Sequence, residues 1–251
     1  QTLNLYAGFK KSFNNKVSMD VSLAVEHYKT AVWNQWDIYP TINLTYIPVP
    51  GHIFQLGLSS DKEYPGYWAV QDAISYIGGG YSEIHGNPFL KPAQSYELKM
   101  TYILKGKYIF STWFNHTKDY STQTLYQSPQ CLVEIYKYLN FDFQQQSGLQ
   151  ASIPFNINKW LNSRITFIGV WHHEKDDDFW DIPRKKCYGI AQMTHTITLA
   201  TKPDLKLKII GMVHSDAIQG IYDLPTSGGL NATLRYGFAK GKGILNLYCN
   251  D

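Results

Sequence analysis

The run Val17-Ser18-Met19-Asp20-Val21-Ser22-Leu23-Ala24-Val25-Glu26 alternates apolar and polar residues without a break. Successive side chains of a strand point to opposite faces, whereas a helix repeats every ~3.6 residues and would scatter both sets around its axis. The stretch therefore reads as a strand with Val17, Met19, Val21, Leu23 and Val25 on one face and Ser18, Asp20, Ser22, Ala24 and Glu26 on the other. The pattern returns in Tyr96, Leu98, Met100, Tyr102 and Leu104 against Glu97, Lys99 and Thr101. It returns again in Leu230, Ala232, Leu234, Tyr236 and Phe238 against Asn231, Thr233, Arg235 and Gly237. Alternation alone does not say whether the apolar face meets lipid or a second sheet. The connections carry that information.

Working outward gives about twelve strands, at 2–12, 16–28, 37–48, 53–60, 95–104, 108–126, 131–155, 159–173, 186–201, 205–215, 229–238 and 243–250. Their short connections, 13–15, 49–51, 105–107, 156–158, 202–204 and 239–242, each hold Asn, Gly, Pro or Asp, residues that tolerate tight-turn backbone angles. Every second connection is longer: 29–36, 61–94, 118–130, 174–185 and 216–228. Strict alternation of short and long predicts an all-β, antiparallel up-and-down transmembrane β-barrel, with the short turns periplasmic and the long loops extracellular. The span 131–155 is long enough to hold a bulge or a break.

Composition agrees and excludes other classes. With 15% aromatic and 17% charged residues, the 251-residue chain has the pattern of one sheet-built domain, not of a disordered segment or an α/β enzyme. A formal charge of +3, from 23 basic and 20 acidic residues with no basic run, gives no case for nucleic acid as a partner. No apolar run approaches the ~20 residues of a membrane helix, but a barrel strand needs only ~9–11 and hides them by alternation.

The run Gly86-Asn87-Pro88-Phe89-Leu90-Lys91-Pro92, followed by Ser95-Tyr96-Glu97-Leu98, resembles the G-N-P-x-L-K-P segment that enters a barrel strand in the TonB-dependent receptor superfamily. It is most similar to the branch described as the outer-membrane β-barrel protein family. Tyr39-Pro40-Thr41-Ile42-Asn43-Leu44-Thr45-Tyr46 resembles that family's P-S-x-x-x-x-Y strand. Leu245-Asn246-Leu247-Tyr248-Cys249-Asn250-Asp251 is similar to its N-D-I/L-F-N ending. The resemblance implies a bacterial outer-membrane receptor of about 22 strands, plugged by a globular domain and energised from the inner membrane through TonB, that imports a scarce small nutrient. Because the chain starts and stops in mid-pattern, residues 1–251 are expected to be a barrel segment, with the plug domain and final strands absent. In physical terms, Gly86 is expected to supply a backbone angle barred to other residues, Pro88 and Pro92 to fix two more, and Asn87 to bond its own backbone. Gly86, Asn87, Pro88, Leu90, Lys91 and Pro92 then steer a long loop into a strand.

A polar lumen needs side chains that bind water and substrate, so Asp20, Glu26, Asn43, Gln55, Glu97, Lys99, Asn231 and Arg235 are candidates for the inner face. Tyr64, Tyr67, Trp68 and Tyr81 on the longest loop are candidates to stack on a ligand, against the competing reading of an interfacial girdle or loop packing. The run from His172-His173-Glu174-Lys175 through Asp176, Asp177 and Asp178 suggests a metal site. Adjacent strand residues diverge, however, so a solvated acidic loop is the expected reading. No catalytic residue, metal centre or cofactor is expected. The pairs Ser111 with His116 and Ser215 with His214 lack the accompaniment of a nucleophile elbow, which weighs against an outer-membrane hydrolase. Cys131, Cys187 and Cys249 are expected as free thiols, because two strand spacings exceed the ~7 Å Cα reach of a disulfide. Asn43, Asn115 and Asn231 match the glycan sequon but fall within strands. The remaining rival is a soluble or surface-attached carbohydrate-binding β-sandwich, which would bury its apolar faces beneath a second sheet.

Overall fold

A computed structural model describes residues 1–177, 182–239 and 242–250. Sixteen strands follow in chain order: β1 (Thr2–Ser12), β2 (Val17–Lys29), β3 (Asn34–Tyr46), β4 (His52–Glu63), β5 (Ile74–Ile77), β6 (Ser82–His85), β7 (Ala93–Leu104), β8 (Tyr108–Gln127), β9 (Glu134–Asn156), β10 (Leu161–Asp176), β11 (Ile182–Ala200), β12 (Asp204–His214), β13 (Ala217–Gln219), β14 (Tyr222–Leu224), β15 (Ser227–Phe238) and β16 (Gly243–Cys249). One short helix, α1 (Tyr67–Val70), precedes β5. Twelve strands form one antiparallel path, β1-β2-β3-β4-β7-β8-β9-β10-β11-β12-β15-β16, each joined to the next in sequence along the barrel wall. This is the up-and-down order that the alternating connections predict. The acidic Asp178 and the terminal Asp251 of the ending motif lie outside the described residues.

Asx chemistry builds two of the short turns. Asn14 Oδ1 accepts from the amides of Lys16 and Val17, each at 2.8 Å, and Asn158 Oδ1 accepts from Trp160 at 3.1 Å and Leu161 at 2.8 Å. In both, a short side chain takes the place of a backbone acceptor and reverses the chain.

Register places the alternation. Val21 pairs with Phe9 and Ile42, Leu98 with Leu58 and Phe114, and Leu234 with Leu207 and Leu247, so the apolar residues of neighbouring strands form one continuous face. That face has no second layer over it: Leu23 is 44% exposed, and Leu56, Met100, Leu149 and Leu247 are likewise open. A sandwich would cover them, so the soluble alternative does not describe this chain. Aromatic rings edge the aliphatic band. Near the short turns Tyr46, Phe54, Tyr102 and Phe110 form a ladder, with Phe54 and Tyr102 stacked at 4.6 Å. Toward the long loops His27 stacks on Trp36 at 4.5 Å, and His173 meets Phe143 and Trp171. Paired aromatic girdles of this kind mark the two interfaces of a membrane.

Strands β8 to β11 are far longer than a crossing requires: β8 has 20 residues, β9 23, β10 16 and β11 19. β9 runs unbroken, so the bulge or break entertained for 131–155 is absent from that strand. Its pairing with β8 skips one position opposite Asp142, at Asp119, whose φ is 52°. The surplus length projects beyond the outer girdle and carries two loops.

The first of these, 64–92, returns to the wall instead of standing free. β5 and β6 form a hairpin, and β6 adds parallel to β9 from Ser82↔Glu134 to His85↔Lys137. The Gly86–Pro92 run fastens it. Asn87 Oδ1 accepts from Phe89 N at 3.2 Å, the expected bond to its own backbone, and Asn87 Nδ2 donates to Tyr138 O at 2.9 Å. Lys91 N donates to Asn140 Oδ1 (2.8 Å) while Asn140 Nδ2 donates back to Lys91 O (2.9 Å). Leu90, Ala69 and Val70 close a small core against Trp33 and Tyr138. Gly86 acts differently from expectation. Its φ is not in the left-handed region; a Cβ there would sit 1.7 Å from Gln71 O, so glycine is required by a close backbone approach.

Two outcomes are expected. Leu98→Arg on the apolar face should cost about 2–4 kcal/mol in membrane-refolding titrations and Thr101→Arg on the polar face far less; equal penalties would contradict the facing. Gly86→Ala should loosen the loop by about 1–3 kcal/mol through overpacking. It should be read as faster protease cleavage within 64–92 while the barrel keeps its heat-modifiable gel mobility.

Candidate functional site

The polar face is the side on which groups converge. Loop 64–92 crosses β7, β8 and β9 on that face and roofs a cavity of about 410 Å³, lined by Gly66, Trp68 and Ala69 from above and by Ser95, Asn115, Thr117 and Gln144 from the wall. Ser95 shares the face of Glu97 and Lys99, two and four residues along the same strand, which fixes the cavity on the inner side.

The second folded loop, 215–226, carries the hairpin β13–β14, with Ala217 and Ile218 buried. Arg184 on β11 holds its tip: Nη1 donates to Gly220 O at 2.6 Å and Tyr222 O at 3.3 Å, and Nη2 pairs with Asp223. Gly220 has φ 54°, and a Cβ there would lie 2.8 Å from Thr122 Oγ1, so both conformation and space demand glycine. Beneath this hairpin lies part of the acidic run. β10 continues through Asp176, so His172, Glu174 and Asp176 share one face and are all buried, Glu174 completely. The expected solvated loop is therefore corrected: alternate residues of a strand point together, and the hairpin covers them. Gln144 Nε2 donates to Glu174 Oε1 at 2.8 Å, and His172 Nε2 lies 3.1 Å from the same oxygen. Burial pushes the Glu174 carboxyl up, but His172, Gln144 and the Gly220 amide outweigh it and hold it below the usual carboxylate range. Among the described residues no three His, Cys, Asp or Glu side chains are grouped to hold a metal ion.

Of the inner-face candidates, Asp20, Asn43, Gln55 and Lys99 come together around a hollow of about 490 Å³ shared with Lys10, Ser18 and Thr45. Register explains the grouping, since Lys10↔Asp20↔Asn43↔Gly57↔Lys99 runs as one row across five strands. Glu97 is exposed on the same face, nearer the loops. Glu26 accepts from Tyr39 OH at 3.4 Å. Asn231 and Arg235 lie on β15, distant along the sheet from that hollow, with Arg235 Nη2 3.8 Å from Asp204.

The four loop aromatics separate into two kinds. Tyr64 is engaged: it stacks on Tyr28 at 3.8 Å and donates to Asp37 Oδ2 at 2.8 Å, while Lys62 Nζ donates to Asp37 Oδ1 at 2.6 Å. Burial and the bond to Asp37 raise the Tyr64 hydroxyl above its ordinary value. Tyr67, Trp68 and Tyr81 stay 77%, 58% and 71% exposed and remain available to a ligand. The Asp37–Lys62–Tyr64 network was not singled out from the sequence; its signal is the inward parity of Asp37 with Asn43 on one strand. A larger apolar hollow, about 920 Å³ between Leu44, Phe54, Leu56, Met100, Leu149 and Phe167, lies on the opposite, membrane-facing side. Ser111 and His116 sit on opposite faces of β8, and Ser215 Oγ accepts from Gly189 N, so neither suggested pair is a nucleophile and base in contact. Cys131, Cys187 and Cys249 are free and exposed.

Comparison with known proteins agrees with this architecture. The model of the outer membrane protein beta-barrel family matches residues 1–251. Among solved structures, the siderophore receptor PirA from Pseudomonas aeruginosa is similar with a TM-score of 0.68 at 13% identity, over 95% of this chain and 43% of that one. The R480A mutant of the ferric enterobactin receptor PfeA from the same organism gives 0.65 and 12%, over 99% and 39%. The FrpB iron transporter from Neisseria meningitidis gives 0.63 and 11%, over 99% and 40%. The chain thus spans about two fifths of these structures, and at such identities the likeness is one of fold. No curated protein sequence matches. A whole-chain family match, an apolar face open between two aromatic girdles and a polar face roofed by in-folded loops lead to one conclusion: the chain belongs to the outer membrane protein β-barrel family and resides in the bacterial outer membrane.

Proposed function

We propose that this chain forms part of the barrel wall of a TonB-dependent receptor that captures a scarce small nutrient outside the cell and imports it. The observation that carries the reading is the placement of loop 64–92. A barrel wall whose long outer loop folds over the polar face, closing a cavity and presenting Tyr67, Trp68 and Tyr81 as exposed aromatics, is arranged to receive a ligand from outside. The similar solved structures are a siderophore receptor, a ferric enterobactin receptor and an iron transporter, which supports the same direction. Energy coupling follows from the resemblance of the Gly86–Pro92 segment to the TonB-dependent superfamily and would pass through a plug domain. In this reading Asp20, Asn43, Gln55 and Lys99 line the inner path or contact the plug, while Glu26, Glu97, Asn231 and Arg235 are solvated wall. Gly86, Asn87, Pro88, Leu90, Lys91 and Pro92 hold the ligand loop in place.

The full-length receptor should accumulate its nutrient in whole cells only while the proton-motive force is intact. A panel of iron chelates, saccharides and peptides, each offered as the growth-limiting source, identifies the cargo. A protonophore should abolish import and leave surface binding; import that persists without energy would refute the proposal. Tyr67→Ala combined with Tyr81→Ala should weaken surface binding by up to about tenfold, corresponding to about 1.4 kcal/mol across two aromatic contacts.

A further inference from the structure

The cavity beneath loop 64–92 has a chemistry that discriminates between classes of nutrient. Its wall offers Ser95, Asn115, Thr117 and Gln144, all neutral, with Trp68 in the roof and Glu63 as the one ionisable carboxylate. Among the described residues no Lys, Arg or His lines it. Glu63 has no ion pair among the described residues, and Glu174, held by Gln144 from behind, adds a second negative charge beside the wall.

Three classes of ligand can be weighed. An anionic chelate would meet the Glu63 carboxylate, with the buried Glu174 behind Gln144 and no compensating cation in the lining, and desolvating that charge without a partner is costly. A cation would suit Glu63 and Trp68, yet it carries donors only and would leave the wall amides and hydroxyls without anything that both gives and accepts. A polyol does both: each hydroxyl donates once and accepts twice, matching Ser, Thr, Asn and Gln side chains, while the C–H face of a sugar ring covers an indole. The volume of about 410 Å³ lies within the range of small-molecule sites.

We propose that this cavity binds an uncharged saccharide, with the ring against Trp68 and its hydroxyls on Asn115, Thr117 and Gln144. The inference rests on the receptor reading and names its substrate class.

The test uses the full-length receptor in detergent and in cells. Maltotriose, cellotriose and chitotriose are the saccharide probes, with ferric enterobactin as the anionic chelate and a neutral tripeptide as the peptide probe. Titration calorimetry should give saturable binding for at least one saccharide and none for the chelate. Trp68→Ala and Asn115→Leu should each weaken that binding tenfold or more, Trp68→Phe should restore part of it, and heat-modifiable mobility should show every variant folded. Binding of none of the three saccharides overturns the proposal, as does chelate or peptide binding that Trp68→Ala weakens. The two readings fail differently. Energy-dependent uptake of a chelate, indifferent to Trp68→Ala, removes the saccharide and keeps the receptor, whereas uptake of nothing, or uptake without energy, removes the receptor itself.

Discussion

A single sheet has no second layer to bury its apolar face, and here that face is continuous across twelve paired strands. Water would charge roughly 25 cal/mol for every Å² of apolar surface so exposed, and hydrocarbon removes that cost. Lateral pairing satisfies the backbone groups that hydrocarbon cannot, which is why strands cross a membrane as neighbours in a barrel wall. The rest of the architecture depends on this partition. The aliphatic band between Tyr102 and His173 sets the membrane's height on the wall, the short turns mark one interface, and everything above the outer girdle is free for other uses.

The molecule spends that freedom on long strands. β9 has more than twice the residues needed to cross, and its upper edge, no longer occupied by β10, is taken by β6 and by the Gly86–Pro92 run. A long loop fastened in this way loses its conformational freedom during folding, and the entropic cost of ordering it is met there. The reciprocal Lys91–Asn140 bonds, and the lack of room for even a Cβ between Gly86 and Gln71 O, show how closely the fastening is fitted. The hairpin β13–β14 repeats the device on the neighbouring wall, with Arg184 as its anchor and the carboxylate of Glu174 sealed beneath.

The polar face is not uniform in charge. Near the short turns Lys10, Asp20 and Lys99 share a row of mixed sign, suited to a solvated inner path. Under the loops the lining turns neutral to acidic and aromatic. The two zones of one wall thus differ in chemistry, and the outer one is built from loops, the part that differs most between barrels of one fold.

Period-two alternation, short turns rich in Asn and Gly, and the Gly86–Pro92 segment were enough to read the twelve wall strands, their order and their facing, because each is a local property of the chain and a one-residue slip would reverse every side chain; the short strands β5, β6, β13 and β14 within the loops were not legible in this way. That Asp20, Asn43, Gln55 and Lys99 share one polar face was legible for the same reason. What stayed hidden was contact between residues remote in sequence. Nothing near Gly86 announces Gln71 O, nothing near His172 announces a hairpin around Gly220, and the fate of Tyr64 depends on Asp37 one hairpin away. Sequence alone determined which side of the wall each residue faces, since that follows from backbone geometry. Only the tertiary structure decided which inward residues are roofed, paired or left open, because that depends on where two long loops come to rest and what they exclude.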